Sequence, residues 1–331
     1  MSILVTGGAG YIGSHVVKEL RRLDKEIVIV DNLSTGHIEA VQGLNLFVGD
    51  IADALFLKDI MVKHKVDSVI HFAASSLVGE SQDNPAQYYH NNVAGTLSLL
   101  QVMRECGVMS IVFSSSAAVY GEPKEIPIKE DALTCPVNVY GRTKLMIEQI
   151  LEDYRRAYGI NFISLRYFNA CGADEEGLIG EDHTPETHLI PIVMQVVNGQ
   201  RNSLIIYGDD YPTPDGTCIR DYIHVNDLAS AHILALEYLE KERKSGIYNL
   251  GYGHGYSVKE IVQAVEKITG QKIKVEIGER RLGDPAILVA DSTRMQRELG
   301  WKPLCNDLAY IIRTAWEWHR LRPDGYKTST E

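Results

Sequence analysis

Two textures alternate along the chain up to about residue 170. Short unbroken aliphatic runs read as strands buried on both faces: ILVTG (3–7), EIVIVD (26–31), NLFVGD (45–50), SVIHFA (68–73), SIVFSSS (110–116) and FISLRYF (162–168). Longer stretches with helical spacing lie between them, among them Ile12–Leu23, Ala94–Cys106 and Tyr140–Tyr158. Strand–helix alternation of this kind predicts an α/β fold built on a doubly wound parallel sheet. Past residue 170 the rhythm breaks. A loop rich in Gly, Asp, Glu, Pro and His (171–188) precedes a helix near 189–199, a strand at 204–207 and a turn-rich loop at 208–218. The expected division is a first domain over 1–169 and a smaller mixed α/β domain over 170–331, with IYNLG (247–251) returning to the first sheet.

Composition narrows the options. A chain of 331 residues that is 45% apolar can bury a large core. It carries 33 basic against 44 acidic residues, a net charge of −11, which argues against a basic stripe for nucleic acid. Any anionic ligand must then meet local arginines, glycine-rich backbone or helix ends. Cys106, Cys135, Cys171, Cys218 and Cys305 are scattered, odd in number and free of C-x-x-C spacing, as expected for free thiols in a reducing compartment. The chain opens directly on a strand, and no apolar run reaches the ~18 residues of a membrane span. The expectation is a cytoplasmic protein with no membrane and no nucleic-acid partner.

LVTGGAGYIGSH follows the first strand and opens a helix, with Gly7, Gly10 and Gly13 in G-x-x-G-x-x-G spacing and Gly8, Gly10 and Gly13 in G-x-G-x-x-G spacing. Glycine is needed there because the turn demands unusual backbone angles and a pyrophosphate must approach the backbone closely at a helix N-terminus. The second strand ends in an acid, Asp31, 18 residues beyond Gly13, placed to bind ribose hydroxyls and repel a 2′-phosphate. These features predict a Rossmann-like half that binds NAD in preference to NADP. Asp50 closes the third strand, where it serves either the adenine or a strand-end cap.

Two Tyr-x-x-x-Lys spacings occur. Tyr120 to Lys124 contains Gly121 and Pro123 and cannot be helical. Tyr140 to Lys144 sits at a helix start with Asn138 as N-cap, so the two side chains share one face. The fifth strand ends in FSSS, and ligands of open α/β sheets bind beyond the strands' carboxyl ends, which places Ser116 beside that helix start. A tyrosine becomes a base near neutrality only if its pKa of ~10 falls by about 3 units, roughly 4 kcal/mol. An ammonium ~5 Å away at an effective dielectric of ~20 supplies about 3 kcal/mol. A cationic nicotinamide ring can supply the rest, and the phenol's pKa should rise again once that ring is reduced.

With TGGAGYIG, SSSAAVYG and YGRTK in one chain, the sequence resembles the extended short-chain dehydrogenase/reductases, and within them the UDP-hexose 4-epimerases. The likeness continues through DNLSTGH, VIHFAA, NNVAGT, LRYFNACGA, IGEDHTPETHLIP, GDDYPTPDGT, IRDYIHVNDLA and RRLGDPA. It implies an NAD-dependent inversion of C4 in UDP-glucose and UDP-galactose through a 4-keto sugar. It further implies that the backbone of Tyr11 and Ile12 lies near the pyrophosphate, with Asp31, Asn32 and Ser34, Thr35 and Gly36 at the adenosine ribose. Asp50 and Ile51 would then sit at the adenine, and Phe72, Ala73, Ala74, Ser76 and Asn91 would line the cofactor cleft beside Phe168. By the same likeness Tyr140 is the acid/base, Lys144 its electrostatic partner and Ser116 the relay to the 4-hydroxyl. Asn169, His188, Leu189, Tyr207, Arg220, Arg281 and Asp284 match positions that hold UDP, and a homodimer through the helices near Asn91 and Tyr140 is implied.

Three departures stand out. Ser76 replaces a lysine common in the family, and Thr187 and His188 replace two asparagines. Leu288 stands where an aromatic residue closes the sugar pocket in related enzymes, which leaves room for 2-N-acetyl sugars. His183 and His188 invite a metal reading, but Pro185 separates them and the spacing offers no clustered third ligand, so no metal is expected. Rival readings are a 4,6-dehydratase, a net dehydrogenase and a non-catalytic dinucleotide sensor. The first needs an acid–base pair where this chain has Ala117 and Ala118, and the last predicts a degraded Ser116, Tyr140 and Lys144 set.

Overall fold

A computed structural model describes residues 2–281 and 283–326. The first half runs β1 (Ser2–Thr6), α1 (Tyr11–Arg22), β2 (Glu26–Asp31), β3 (Leu46–Val48), α2 (Ala54–Lys63) and β4 (Val66–His71). Two short helices, α3 (Val78–Asp83) and α4 (Pro85–Tyr88), and a π-helical turn over 89–94 lead into α5 (Gly95–Cys106), β5 (Ser110–Ser116), α6 (Val139–Tyr158) and β6 (Asn161–Tyr167). The second half holds β7 (Asn169–Cys171), α7 (Leu189–Val197), β8 (Leu204–Tyr207), β9 (Ile219–Arg220), β10 (Tyr222–His224) and α8 (Val225–Glu242). It continues with β11 (Gly246–Leu250), β12 (Tyr256–Ser257), α9 (Val258–Thr269), β13 (Val275–Gly278), β14 (Ile287–Leu288), α10 (Thr293–Leu299) and α11 (Leu308–Leu321).

Seven strands form the main sheet in the order β11-β6-β5-β4-β1-β2-β3, and every pairing in it is parallel. Successive residues explain the two-sided burial. Ile3 and Val5 of β1 pack with Val16, Val17 and Leu20 of α1 and Leu228 and Leu236 of α8. Leu4 points the other way, into Leu57 and Met61 of α2, Leu99 of α5 and Ile147 and Leu151 of α6. Burying each such aliphatic side chain is worth roughly 1.5–3 kcal/mol, so both helical layers are held by the same continuous aliphatic runs. The order reverses between β1 and β4, and a crevice opens there beyond the carboxyl ends of the strands.

A separate apolar core organises the second half, where Ile190 and Val193 of α7, Ile261 and Val265 of α9 and Ile311 and Ile312 of α11 pack on Leu204 and Ile206. Its strands pair only in twos and threes: β7 with β10, β8 with β13, and β9 between β12 and β14. The halves are interleaved in sequence, because β11 completes the main sheet by pairing with β6 from Gly246–Ile163 to Leu250–Tyr167.

One buried polar network locks α6 onto the sheet. Arg166 of β6 grips Glu148 of α6 through Nη2–Oε2 at 2.6 Å and Nε–Oε1 at 2.9 Å, and Ser115 donates to the same carboxylate at 2.7 Å. Arg166 also donates to the Tyr120 hydroxyl at 2.9 Å, which in turn donates to Asn249 of β11 at 2.7 Å. Both members of the ion pair are almost fully buried. Tyr120 of the non-helical Tyr-x-x-x-Lys is thus a structural anchor beneath a guanidinium. Arg166→Leu strands the Glu148 carboxylate in the interior and is expected to lower unfolding free energy by about 3–5 kcal/mol, read as a shifted urea midpoint; an unchanged midpoint contradicts the network's role.

Candidate active site

The glycine turn between β1 and α1 is tight for a visible reason. Gly7 has φ +71°, and a Cβ placed on it would lie 2.5 Å from the Ala73 nitrogen. A Cβ on Gly13 would meet the Gly7 carbonyl oxygen at 2.2 Å. The N-terminus of α1 therefore comes close to the ends of the strands, with free amides aimed at the crevice. Asp31, at the end of β2, is buried and accepts from the amides of Ala9 and Leu33, each at 2.9 Å. Burial raises its pKa, against the pull of those two amides. The residue braces the turn and borders the crevice at once.

A cleft of about 1740 Å³ runs from this turn, across the sheet's carboxyl edge, to the second core. Gly7, Gly10, Tyr11, Ile12 and Gly13 form its floor at the turn; Asp31, Asn32, Ser34, Thr35 and Ile51 follow along one end. Phe72, Ala73, Ala74, Ser76 and Asn91 line the middle together with Phe168. The Tyr11 hydroxyl is engaged elsewhere, donating to the Gly172 carbonyl at 2.6 Å. Gly36 and Asp50 lie outside the cleft wall. Asp50 behaves as a turn cap, accepting from the Ala52 amide at 2.8 Å and from Asn32 at 3.1 Å. Gly36 packs against Asp31 and Ala9, where a side chain would come within 2.9 Å of the carboxylate.

Ser116, Tyr140 and Lys144 converge at the middle of the cleft. Asn138 caps α6 by accepting from the Gly141 amide at 2.8 Å, which sets Tyr140 in the first turn and Lys144 directly above it. Tyr140 is buried, and Ser116, whose Oγ accepts from the Ala118 amide at 3.2 Å, lines the cleft beside it. Lys144, also buried, donates from Nζ to the Ser114 carbonyl at 2.8 Å and lies 5.6 Å from the centre of the Tyr140 ring. Burial pushes the phenol up to about 12, with the Ser116 hydroxyl acting the other way. Burial likewise pushes the ammonium down to about 7, opposed by Glu148 one turn on. The lowering expected from Lys144 together with a cationic nicotinamide ring must therefore overcome the cost of burying the phenolate.

The far end of the cleft carries the cations. Arg220 of β9 is buried, forms an ion pair with Asp284 and donates to its neighbour's carbonyl, that of Ile219, at 2.8 Å. The Arg281 guanidinium stacks 4.0 Å above the Tyr207 ring. Asn169, Leu189 and Leu288 complete this end, and His188 stands at its edge with 45% of its side chain exposed. Sequence reasoning missed one polar residue of the cleft. Tyr167 lines it and shares a 2.6 Å hydrogen bond with Ser114, whose carbonyl receives Lys144. Asn91 lines the cleft as expected, while the adjacent Asn92 is fully buried behind the wall, accepting from the Ser75 amide at 2.8 Å and donating to Thr143 of α6 at 3.0 Å. Which asparagine turns inward depends on the π-helical turn, a local rewinding without a sequence signature.

Glycine turn, Ser–Tyr–Lys set and cation-lined far end share one crevice, which defines a dinucleotide-dependent enzyme of the doubly wound α/β class. The chain belongs to the NAD dependent epimerase/dehydratase family, whose sequence model matches residues 3–251. It is 53% identical over 331 residues to the UDP-glucose 4-epimerase of Halalkalibacterium halodurans, covering 100% of this chain and 99% of that protein. The crystal structure of UDP-glucose 4-epimerase from Brucella ovis in complex with NAD superposes with a TM-score of 0.92 at 51% identity, over 95% of this chain and 97% of that one. That of the Bifidobacterium longum enzyme in complex with NAD⁺ and UDP gives a TM-score of 0.93 at 41% identity, over 98% and 100% of the two chains.

The depressed lysine has a measurable signature in stability. Its folded pKa, about 7, lies below its ordinary 10.5, so the unfolded chain binds the extra proton between those values. Stability is therefore lowest below pH 7 on this account and rises as pH climbs from about 7 to 10.5. Lys144→Met should abolish that rise, measured as urea midpoints across the range; an identical slope in parent and variant contradicts the burial of the charge.

Proposed function

We propose that this chain inverts the configuration at C4 of a UDP-hexose, interconverting UDP-glucose and UDP-galactose through a transient 4-keto sugar with NAD as its cofactor. The observation that carries the reading is the half-buried Ser116 with buried Tyr140 and Lys144 in the same cleft as the glycine turn and the arginines. The residues fit the dinucleotide. Gly7 and Gly13 form a cradle that any Cβ would fill, the α1 N-terminus suits a pyrophosphate, and Asp31 suits ribose hydroxyls while repelling a 2′-phosphate. NAD held there would supply a hydride acceptor and donor for C4.

Tyr140 takes the proton of the 4-hydroxyl through or beside Ser116, which lines the same part of the cleft. The phenol must first give up its own proton, and Lys144 one turn away together with the oxidised nicotinamide ring are the positive charges that favour its anion. Arg220 and Arg281 hold the diphosphate, with Asn169, Leu189, Tyr207 and Asp284 about the nucleotide. Binding energy placed there leaves the sugar free to turn and present its other face, which a tight grip on the hexose would prevent. Dehydration is disfavoured because Ala117 and Ala118 follow Ser116, and methyl groups move no protons.

Leu288 is half-buried in the cleft wall, and a leucine there is smaller than the aromatic residue of related enzymes, which favours acceptance of N-acetylated UDP-hexoses as well. We also place the enzyme in the cytoplasm as a homodimer. Among the described residues no helix is long and apolar enough to cross a membrane, and all five cysteines are free. Leu97 of α5 and Met146 of α6 are exposed apolar side chains on the two helices that would pair, and sedimentation at the mass of a single chain contradicts the dimer.

Purified protein supplied with UDP-galactose should form UDP-glucose, and UDP-GalNAc should yield UDP-GlcNAc. Tyr140→Phe should lower both rates by about 10²–10⁴-fold with UDP affinity within about twofold. Comparable turnover in the variant would sink the assignment of Tyr140, and turnover of UDP-galactose alone would sink the reading of Leu288.

A further inference from the structure

The loop between β7 and α7 gathers four metal-ligating side chains that sequence spacing left apart. Glu181, His183, Glu186 and His188 fall within eight residues, and one donor atom from each lies within 4.8 Å of all the others. Glu181 and Glu186 are buried. Their hydrogen bonds show how they are aimed. One oxygen of Glu186 accepts from the amides of Thr187 and His188 at 2.7 and 2.8 Å, while the other faces His183 Nδ1 at 3.8 Å. A single oxygen of Glu181 meets His183 Nδ1 at 3.3 Å and is hydrogen-bonded to His188 Nδ1. Four donors of two chemical kinds thus converge on one point.

The loop carrying them is fixed from outside. Trp318 of α11 donates its indole N–H to the Glu181 carbonyl at 3.0 Å, and Tyr326 receives the Gly180 amide at 3.1 Å. The His37 ring is hydrogen-bonded to the Asp182 carbonyl at 3.0 Å. Such backbone anchoring is what keeps ligands in register around an ion. A polar cavity of about 160 Å³, bordered by Glu181, His183, Glu186, Gln195 and His319, opens beside the cluster and offers a path from solvent.

We propose that Glu181, His183, Glu186 and His188 bind a divalent transition-metal cation, with Zn²⁺ the best match. Two imidazoles with two carboxylates suit zinc and its first-row neighbours, whereas Ca²⁺ and Mg²⁺ take oxygen donors throughout. Two carboxylates balance the ion's charge, and the imidazoles bind as neutral rings. Tetrahedral zinc with ligands at ~2.1 Å has donor–donor edges of ~3.4 Å, close to the 3.3 Å between Glu181 and His183, so the wider pairs draw in and the hydrogen-bonded Glu181–His188 pair parts through side-chain rotation. The ion would fix His188 and, through it, Leu189, the first residue of α7 on the nucleotide side of the cleft. It lies apart from Ser116, Tyr140 and Lys144 and rests on none of the assignments made for them.

The test uses the full-length protein dialysed against a chelator and then titrated with zinc chloride by calorimetry. About one zinc per chain is expected, together with a raised melting temperature. Cobalt-loaded protein is expected to show visible absorption of a low-symmetry N₂O₂ site. His183→Gln combined with Glu186→Gln should weaken zinc binding by about a hundredfold or more, while His254→Gln, an exposed histidine elsewhere, leaves it unchanged. Zinc affinity unaltered in the double variant overturns the proposal. Should that variant fail to fold, the parent decides alone: no bound zinc, or a cobalt spectrum like that of the aqueous ion, overturns it, and the cluster is then held by protonated histidines.

Discussion

The placement of α6 against the end of β5 is the constraint on which the catalytic centre depends. Ser114, Ser115 and Ser116 each neighbour one residue of that helix. The Ser114 carbonyl receives the Lys144 ammonium, the Ser115 hydroxyl donates to Glu148, and Ser116 lines the cleft beside Tyr140. Positions 140, 144 and 148 are one helical turn apart and share a face, so the three placements are satisfied by a single register. A slide of one residue would break all of them and leave an ammonium and a carboxylate buried without partners. Arg166 and Tyr120 extend the lock to β6 and β11, which ties the reacting groups to the middle of the sheet instead of to a surface loop.

That rigidity is matched by an electrostatic restraint. The same burial that positions Tyr140 and Lys144 disfavours the charged form of each, so the resting centre holds a neutral phenol. Reactivity then belongs to the assembled complex, which limits proton exchange with water when no sugar is in place. The opposite end of the cleft is built differently. Arg281 lies over an aromatic ring and Arg220 against a carboxylate, both in short-stranded structure fixed by the second core. The cleft thus has a fixed Ser–Tyr–Lys set at its middle and arginines at its far end.

Much of the architecture could be read from the chain because its causes are local. Continuous aliphatic runs mark strands covered on both sides, and the glycines after β1 are demanded by contacts of 2.2 and 2.5 Å that no side chain could survive. Asn138, Tyr140 and Lys144 were legible as a helix start for the same reason. What escaped was decided by tertiary surroundings. The sign of the Tyr140 shift follows from burial, which spacing does not encode. The inward turn of Asn92 needed a π-helical turn, and the carboxylates beside His183 and His188 were visible in the sequence as ordinary loop acids until the backbone was pinned by Trp318.

The interleaving of the two halves has an evolutionary corollary. Because β11 arrives from beyond residue 240 to cover β6, a gene fragment ending after β6 would expose a bare strand edge, an invitation to aggregation. The cofactor half cannot be exchanged as a cassette. New substrate preferences in this scaffold must come from point changes and loop grafts within an intact chain, and not from recombining whole modules.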